Sequence, residues 1–240
     1  MQNLADHVAI VTGAGRGVGR CIALRLARAG AQVAALARTE SELRALANEP
    51  DAAGRITPIV ADVSDETSVD QAMATITGFS APVDLLVNNA GVYVEKSIVE
   101  TTPEEWRRLF EVNVLGTVLV TRKVLPGLLS RKRGCIINIC STASHLGYAN
   151  QSAYCASKHA MLGFTRVLAT ETHGTGVRVH AVSPGGINTT FVTGRPHIDP
   201  SQYMGPDEVA EVVEFLARMD GIATMDEIVM RREGATPFRC

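Results

Sequence analysis

The sequence lacks the features that direct a chain to nucleic acid, to a membrane or to the secretory pathway. Its formal net charge is only −2 over 240 residues, so no excess of basic side chains favours a nucleic-acid partner. No continuous apolar run is long enough to span a bilayer. The N-terminal residues have neither the basic segment nor the small-residue cleavage site of a secretory signal. These absences favour a cytoplasmic protein that has no nucleic-acid or membrane partner.

Disulfide and metal frameworks are missing as well. The chain has an odd number of cysteines, five, which are widely scattered and never spaced C-x-x-C. They are Cys21, Cys135, Cys140, Cys155 and Cys240. The six histidines are isolated in sequence, so no metal-ligand spacing is present and no metal is expected. Cys155 could be a reactive thiol, but we interpret it as a small apolar side chain. The pattern is typical of a reduced compartment.

What the sequence does contain is a regular alternation of strand-like and helical segments. Short apolar, β-branched runs occupy residues 7–12, 31–37, 56–61, 83–89, 134–140, 177–183 and 226–230. Segments with helical apolar spacing occupy residues 20–30, 40–48, 66–76, 103–130, 151–172 and 207–219. Strands that are apolar on both faces and alternate with helices predict a parallel sheet covered on both sides. We therefore expect a single α/β domain over residues 1–240, a Rossmann-type doubly wound parallel sheet with helices on both faces.

One irregular segment interrupts this order at about residues 190–205. It is rich in glycine, proline and polar residues, and it precedes a helix. In a compact domain such a segment is either a loop that closes over a substrate or a plain surface connection. The sequence leaves both interpretations open.

A glycine-rich turn, TGAGRGVG, follows the first strand and opens the first helix. Gly13, Gly17 and Gly19 would permit a tight turn and a close approach of the backbone to a pyrophosphate. The helix N-terminus adds free N–H groups and a partial positive charge for the phosphates. Tight turns alone explain many glycine clusters, but at the first strand of an α/β chain this pattern predicts a dinucleotide site.

The end of the second strand bears on the choice between NAD and NADP. A carboxylate there would accept hydrogen bonds from the ribose 2′-OH of NAD, but the sequence reads Ala37–Arg38. Arg38 could instead bind a 2′-phosphate, and Arg16 in the glycine turn could add a second positive charge. NADP(H) is therefore favoured. NAD(H) is the alternative, because Glu40 and Glu42 lie nearby in sequence.

A second motif pairs a tyrosine with a lysine. Tyr154 and Lys158 are four residues apart within a predicted helix, so their side chains share one face. A nearby ammonium lowers the pKa of a tyrosine, and a tyrosine tuned in this way can exchange a proton with an alcohol oxygen. The same spacing also arises by chance on helix surfaces, so the pair is informative only together with other motifs.

Together these motifs resemble those of the short-chain dehydrogenases/reductases in their single-domain form. The resemblance extends from Ala9 to about Leu216, and the motifs occur in the family's order. The matching segments are TGAGRGVG at 12–19, ADV at 61–63, NNAG at 88–91, EVNVLG around Asn113, Ser141, YCASK at 154–158 and SPGGINT at 183–189. An ordered set of this kind is specific to the family.

The resemblance implies a role for each matching residue. Tyr154 would be the general acid/base, and Lys158 would lower its pKa and bind the nicotinamide ribose. Ser141 would hold the substrate oxygen, Asn113 would organise a water relay, and Asp62 would bind the adenine edge. With the two arginines, the cofactor-binding set is Gly13, Arg16, Gly17, Val18, Gly19, Arg38, Asp62, Val63, Asn89, Ala90, Gly91, Tyr154, Lys158, Pro184, Gly185, Ile187 and Thr189. The substrate-binding set is Ser141, Ala143, Tyr148, Tyr154, Gly185 and Phe191.

The activity implied is hydride transfer that interconverts a ketone or aldehyde with a secondary or primary alcohol, in a homodimer or homotetramer. Two hydrogen-bond donors aimed at the carbonyl oxygen would stabilise the charge that develops on it. One alternative is a catalytically idle dinucleotide-binding sensor or scaffold, which would not need the Ser–Tyr–Lys set. Another is a sugar-nucleotide epimerase or dehydratase, for whose added substrate domain 240 residues leave little room.

The substrate is not encoded in a recognisable motif. Tyr148 and Phe191 would make the pocket apolar or aromatic, whereas His145, Arg195 and His197 would favour a polar or acidic group. The expectation is a small or medium-sized secondary alcohol or ketone with an apolar portion.

The C-terminus departs from the commonest form of the family. Many members end in a strand followed by an Asp-Gly-Gly-like tail, whereas here Arg231, Arg232 and Glu233 follow the last predicted strand. This departure weakens an assignment as a fatty-acid-type ketoacyl reductase and does not match the family's usual tetramer contacts.

Overall fold

A parallel sheet runs through the centre of the molecule. The computed structural model describes residues 3–50, 54–79, 81–189 and 199–237, and within these ranges the sheet has seven strands in the order β3-β2-β1-β4-β5-β6-β7. The strands are β1 Val8–Thr12, β2 Gln32–Ala37, β3 Ile56–Val60, β4 Val83–Asn88, β5 Gly134–Ile139, β6 Val177–Pro184 and β7 Glu227–Met230. The strand order reverses between β1 and β4, so a crevice opens at the carboxyl ends of these two strands.

Helices cover both faces of the sheet. They are α1 Gly17–Arg28, α2 Glu40–Ala47, α3 Glu66–Thr77, α4 Pro103–Phe110, α5 Gly116–Arg131, α6 Ser152–Glu171 and α7 Pro206–Ala217. Every residue of β1 is buried, and its side chains alternate between two apolar clusters. Ala9 and Val11 belong to the cluster that includes α1, α2 and α7, while Ile10 belongs to the cluster that includes α3, α5 and α6. The predicted doubly wound α/β fold is confirmed.

The helical segment from Pro103 to Arg131 contains a wider turn at its middle. Its start is capped, because the Thr102 hydroxyl accepts a hydrogen bond from the Glu105 N–H and the Glu105 carboxylate accepts one from the Thr102 N–H. Residues Glu111–Leu115 form a π-helical turn between α4 and α5. Such turns re-aim side chains at functional positions, and this one carries Asn113.

By length and composition this 29-residue segment could cross a membrane, although the sequence shows no continuous apolar run of that length. Its most apolar 18-residue window has a mean hydropathy of 1.4, and half of that window is buried inside the domain. A core helix that packs against a sheet has the same properties.

Element boundaries agree with the sequence to within a few residues. The largest difference is at α1, which begins at Gly17 rather than Arg20, because the glycine turn itself forms the first helical turn. Pro58 lies within β3, where it is tolerated because β3 is the edge strand of the sheet. The proposed loop at 190–205 can be followed only from residue 199 onward, since residues 190–198 lie outside the described part of the chain.

Candidate functional site

A cavity of about 610 Å³ occupies the crevice at the carboxyl ends of the strands. Twenty of the residues predicted to bind cofactor or substrate line it: Gly13, Arg16, Gly17, Val18, Gly19, Arg38, Asp62, Val63, Asn89, Ala90, Gly91, Ser141, Ala143, Tyr148, Tyr154, Lys158, Pro184, Gly185, Ile187 and Thr189. Asn113 lies behind the wall rather than in it. Phe191, Arg195 and His197 lie outside the described residues.

The glycine turn is held against the end of β4. Gly13 and Gly17 have φ angles of +65° and +55°, which residues with a Cβ rarely adopt, and a Cβ on Gly13 would lie 2.8 Å from the Ala90 Cα. The Thr12 hydroxyl accepts hydrogen bonds of 3.0 Å from the backbone N–H groups of Asn89 and Ala90. The Asn89 amide donates to the Thr12 carbonyl at 2.9 Å. These contacts leave a backbone cradle without side chains, which fits the phosphates of a dinucleotide.

One end of the cavity is lined by charged side chains around Asp62. Burial raises the pKa of Asp62, but hydrogen bonds from the Ser64 side chain and backbone and the charges of Arg108 and Arg38 outweigh burial, so the pKa lies below its ordinary value. Arg108 donates to Ser64 Oγ at 2.9 Å, and its Nη2 lies 3.5 Å from Asp62 Oδ2. The Arg38 Nη1 lies 3.9 Å from the same carboxylate oxygen. Asp62 is thus ionised at the edge of the site, and the helix cap that follows it is Asp65.

Arg16 and Glu42 stand at the same end of the cavity. The Arg16 Nη1 lies 4.0 Å from Glu42 Oε1, and a Cβ on Gly15 would lie 2.6 Å from Glu42 Oε2. Glu42 therefore reaches over the glycine turn, whereas Glu40 forms an exposed pair with Arg44. The guanidinium groups of Arg16 and Arg38 and the carboxylate of Glu42 are therefore available to the adenosine half of a cofactor.

Tyr154 and Ser141 meet at the other end of the cavity. Burial raises the pKa of Tyr154 to about 12, and a hydrogen bond with the Ser141 side chain lowers it only in part. The Ser141 hydroxyl also accepts a 3.1 Å hydrogen bond from the Ala143 N–H, which fixes its position at the end of β5. The two hydroxyl groups converge on one point of the cavity, where a substrate oxygen could contact both.

Lys158 is buried behind Tyr154. Its Nζ donates to the Ile139 carbonyl at 2.8 Å and lies 6.0 Å from the centroid of the Tyr154 ring. Burial lowers the pKa of Lys158. The net pKa of Tyr154 is raised because burial of the phenol outweighs the interactions that favour its charged form; that Lys158 lowers this pKa stays a prediction.

Asn113 has no exposed surface, and its amide bonds two neighbouring segments. Its Oδ1 accepts from the Val92 N–H at 2.8 Å, and its Nδ2 donates to the Val92 carbonyl and the Ser157 hydroxyl, both at 3.0 Å. A Cβ on Gly91 would lie 3.4 Å from Asn113 Oδ1 and 4.0 Å from Lys158 Nζ. The structure therefore places Asn113 as a clamp on the segment after β4; the predicted water relay is not tested by these contacts.

Aromatic residues shape the substrate end. The rings of Tyr93 and Tyr154 meet edge to face with centroids 4.9 Å apart, and the Tyr148 hydroxyl donates to Thr142 Oγ1 at 3.1 Å. His145 does not line the cavity. Its Nε2 lies 2.7 Å from a Glu227 carboxylate oxygen, so it ties the segment after β5 to β7.

Several cavity residues were not predicted from the sequence. The set includes Gly15, Thr39, Arg108, Gln151, Arg231, Arg232, Ala235 and Thr236. Tyr203 also lines the cavity, and it lies in the irregular segment at about residues 190–205. Arg108 is an ordinary helix-surface residue in sequence. The last four follow β7, and only the pairing of β7 with β6 brings them to the site.

Comparison with known proteins agrees with this geometry. The family model for short chain dehydrogenase matches residues 7–197. A meso-2,3-butanediol dehydrogenase of Serratia marcescens is 35% identical over 226 residues, covering 90% of this chain and 88% of that protein. A 3-oxoacyl-(acyl-carrier-protein) reductase of Synechocystis sp. is also 35% identical, covering 90% and 91%.

A solved structure extends the likeness to the whole fold. A metagenomic short-chain oxidoreductase in complex with NADP superposes with a TM-score of 0.83 at 33% identity, covering 96% of this chain and 99% of that one. The fold, the ordered motifs and the relatives all agree. The chain belongs to the short-chain dehydrogenase/reductase family of NAD(P)-dependent oxidoreductases.

Proposed function

We propose that the protein interconverts a ketone or aldehyde with the corresponding alcohol, with Tyr154 as the general acid/base and NADP(H) as the preferred cofactor. The observation that carries the proposal is the hydrogen bond between Tyr154 and Ser141 at the wall of the cavity. A phenol with a pKa of about 12 is protonated at neutral pH. It can therefore donate a proton to an oxygen that becomes negatively charged during reduction.

The cofactor, when bound, supplies or accepts the hydride at the carbonyl carbon. Its phosphates would lie on the glycine cradle at Gly13 and Gly17, and its nicotinamide half would face Gly185, Ile187 and Lys158. The chain's own contribution is positioning and electrostatics. The Ser141 and Tyr154 hydroxyls orient the substrate oxygen and stabilise the charge that develops on it, and Tyr154 moves the proton.

The preference for NADP(H) rests on the charges at the adenosine end. Arg16 and Arg38 are largely exposed and are only loosely paired with carboxylates, at 4.0 and 3.9 Å. A 2′-phosphate could recruit both guanidinium groups, since such groups match phosphate geometry. The carboxylates of Glu42 and Asp62 oppose this preference, because each lies near one of the two arginines and offsets part of its positive charge.

The proposal includes a homodimer or homotetramer in the cytoplasm. Apolar side chains on the segment from α4 to α5 and on α6 are exposed, among them Phe110, Leu115 and Val167, and burial of such side chains stabilises subunit contacts. The described cysteines, Cys21, Cys135, Cys140 and Cys155, are free thiols, which accords with a reducing compartment.

The experiment that tests the proposal compares two tyrosine variants. Purified protein would be titrated with NADPH and NADH by nicotinamide fluorescence, and a panel of ketones and aldehydes would then be added. We expect Tyr154→Phe to lower kcat by about 10²- to 10⁴-fold while NADPH binding stays within about twofold. Tyr93→Phe keeps the ring that contacts Tyr154 and serves as the matched control. Turnover by Tyr154→Phe within a few-fold of the wild type would remove Tyr154 as the proton donor. NADPH binding without oxidation by any carbonyl compound would support a dinucleotide sensor instead.

A further inference from the structure

The segment after β7 closes over the substrate end of the cavity. The Gly185 N–H donates to the Met230 carbonyl at 2.8 Å, and the position of a Gly185 Cβ would be 3.7 Å from Thr142 Cγ2 and 3.8 Å from the Arg231 Cα. Thr142 follows Ser141 directly. The backbone that carries Arg231 and Arg232 therefore lies beside the catalytic serine rather than beside the adenosine end.

Arg231 holds this segment in shape. Its Nη1 donates to three backbone carbonyls of the segment itself, those of Arg232, Glu233 and Ala235, at 3.3, 3.0 and 3.0 Å. The Ala235 N–H also donates to the Arg232 carbonyl at 3.0 Å, which closes a turn. These contacts of Nη1 fix the shape of the segment that carries Arg232.

Arg232 is held differently. Its Cζ lies 4.8 Å from the centroid of the Tyr203 ring, and the side chain is half-buried at the cavity wall. Tyr203 is itself fixed against Gly186, where a Cβ would come within 2.6 Å of the ring. An aromatic face orients a guanidinium group without using the N–H donors at its edge. No carboxylate of the described residues forms an ion pair with Arg232.

The distribution of charge around the cavity separates its two ends. Only two carboxylates among the described residues line it, Glu42 and Asp62, and both face arginines at the adenosine end. The substrate end carries Lys158, Arg231 and Arg232 with no lining carboxylate. A half-buried cation without a counter-ion favours a ligand that brings negative charge.

We propose that Arg232, oriented by Tyr203, binds an anionic group of the substrate, so that the enzyme acts on carbonyl compounds or alcohols that carry a carboxylate or a phosphate. This inference rests on the proposed function, because it names the substrate class of the same site. It places the anion beside the loop after β6, where Tyr203 packs against Gly186.

The test compares matched acids and neutral analogues. The probes are levulinate and methyl levulinate, acetoacetate and methyl acetoacetate, and dihydroxyacetone phosphate and dihydroxyacetone. Each is titrated calorimetrically into the NADP⁺ complex, and turnover with NADPH is measured in parallel. We expect at least one anion to bind the wild type roughly tenfold or more tightly than its neutral partner, and Arg232→Gln to remove that difference. Arg122→Gln, an exposed arginine on α5, is the matched control and should keep it.

Three results would overturn the inference. The first is equal affinity of the wild type for every acid and its neutral partner, and the second is an equal loss of affinity for both in Arg232→Gln. The third is a loss of affinity in Arg232→Gln that is confined to NADPH, which would assign Arg232 to the cofactor. A preference for phosphate over carboxylate, or the reverse, identifies the source of the negative charge. The binding measurement tests whether Arg232 binds an anion even if no probe is reduced. Failure of the proposed function would instead appear as absence of turnover for acids and neutral compounds alike. Tyr203→Leu should give a smaller loss for the anion, since the charge stays but its orientation is lost.

Discussion

The ammonium group of Lys158 lies 6.0 Å from the centroid of the Tyr154 ring and has one backbone carbonyl, that of Ile139, as its oxygen partner at 2.8 Å. Lys158 is buried and Tyr154 is partly buried at the cavity wall, and desolvation moves their pKa values toward the neutral forms, upward for Tyr154 and downward for Lys158. The pair that we propose to carry the chemistry therefore lowers the stability of the fold.

Lys158→Met should make the protein more stable and inactive. A buried ammonium without a carboxylate partner costs free energy that a thioether of similar length does not. We expect the free energy of unfolding at pH 7 to rise by about 1–3 kcal/mol, or about 2–10 °C in Tm, with turnover lowered about a hundredfold or more. Differential scanning calorimetry and NADPH oxidation measure the two effects.

The expected gain in stability of Lys158→Met should depend on pH, because the pKa of Lys158 is lowered in the folded state. Because the pKa of Lys158 is lower in the folded state, its burial costs stability at neutral and acid pH, and the cost shrinks as pH rises through the folded pKa toward the ordinary value of 10.5. The gain from Lys158→Met should shrink in the same way. Lys123→Met, which removes a partly exposed partner of Asp70, should lower stability by no more than about 1 kcal/mol. A Lys158→Met variant no more stable than the wild type would contradict the interpretation.

The two reaction directions should respond differently to pH. With a pKa of about 12, Tyr154 is protonated from acid to mildly alkaline pH, so kcat/KM for carbonyl reduction should be nearly constant from about pH 6 to 9. Alcohol oxidation needs the phenolate and should rise by up to about tenfold per pH unit over the same range. Initial rates in both directions test this. A reduction rate that falls with an apparent pKa near 7 would show that the phenol ionises far more easily than its burial indicates.

The fold was predictable because each strand and helix carries its own apolar period. The cofactor turn was predictable because its glycines fall within one short segment, TGAGRGVG. The direction of the Tyr154 pKa was not predictable, since a lysine four residues away is visible in sequence but the burial of the phenol depends on packing. Arg232 was missed for a similar reason. Nearly eighty residues separate it from Tyr154, and only the addition of β7 to the sheet edge brings it to the cavity.

Arg38→Ala should weaken NADPH binding selectively. The side chain is largely exposed and its pair with Asp62 is long, at 3.9 Å, so its removal should change stability by less than about 1 kcal/mol. Loss of one guanidinium contact to a 2′-phosphate should raise the Kd for NADPH roughly tenfold, with NADH within about twofold. Glu42→Gln is the opposing variant. It removes the nearby carboxylate and should shift the ratio of affinities toward NADPH. Equal losses of affinity for NADPH and NADH in Arg38→Ala would contradict the assignment of Arg38 to the 2′-phosphate.

Asn113→Ala should lower the stability of the fold and, as a consequence, weaken the binding of NADPH. The amide of Asn113 satisfies both the N–H and the carbonyl of Val92 and also bonds Ser157, and each buried polar group left without a partner costs about 1–3 kcal/mol. We therefore expect the free energy of unfolding to fall by about 2–4 kcal/mol, measured by urea denaturation, together with a higher KM for NADPH, because the segment after β4 lines the cofactor side of the cavity.

The same variant separates a clamp from a proton relay. If Asn113 acts by holding Val92, the loss of activity should be largely independent of pH and should be partly reversed by saturating NADPH, which stabilises the folded site by mass action. A relay would instead lower kcat at saturating NADPH, change its pH profile and leave the KM for NADPH near the wild-type value. Full stability with a strongly reduced kcat would therefore assign Asn113 to proton movement and remove the clamp as its main role.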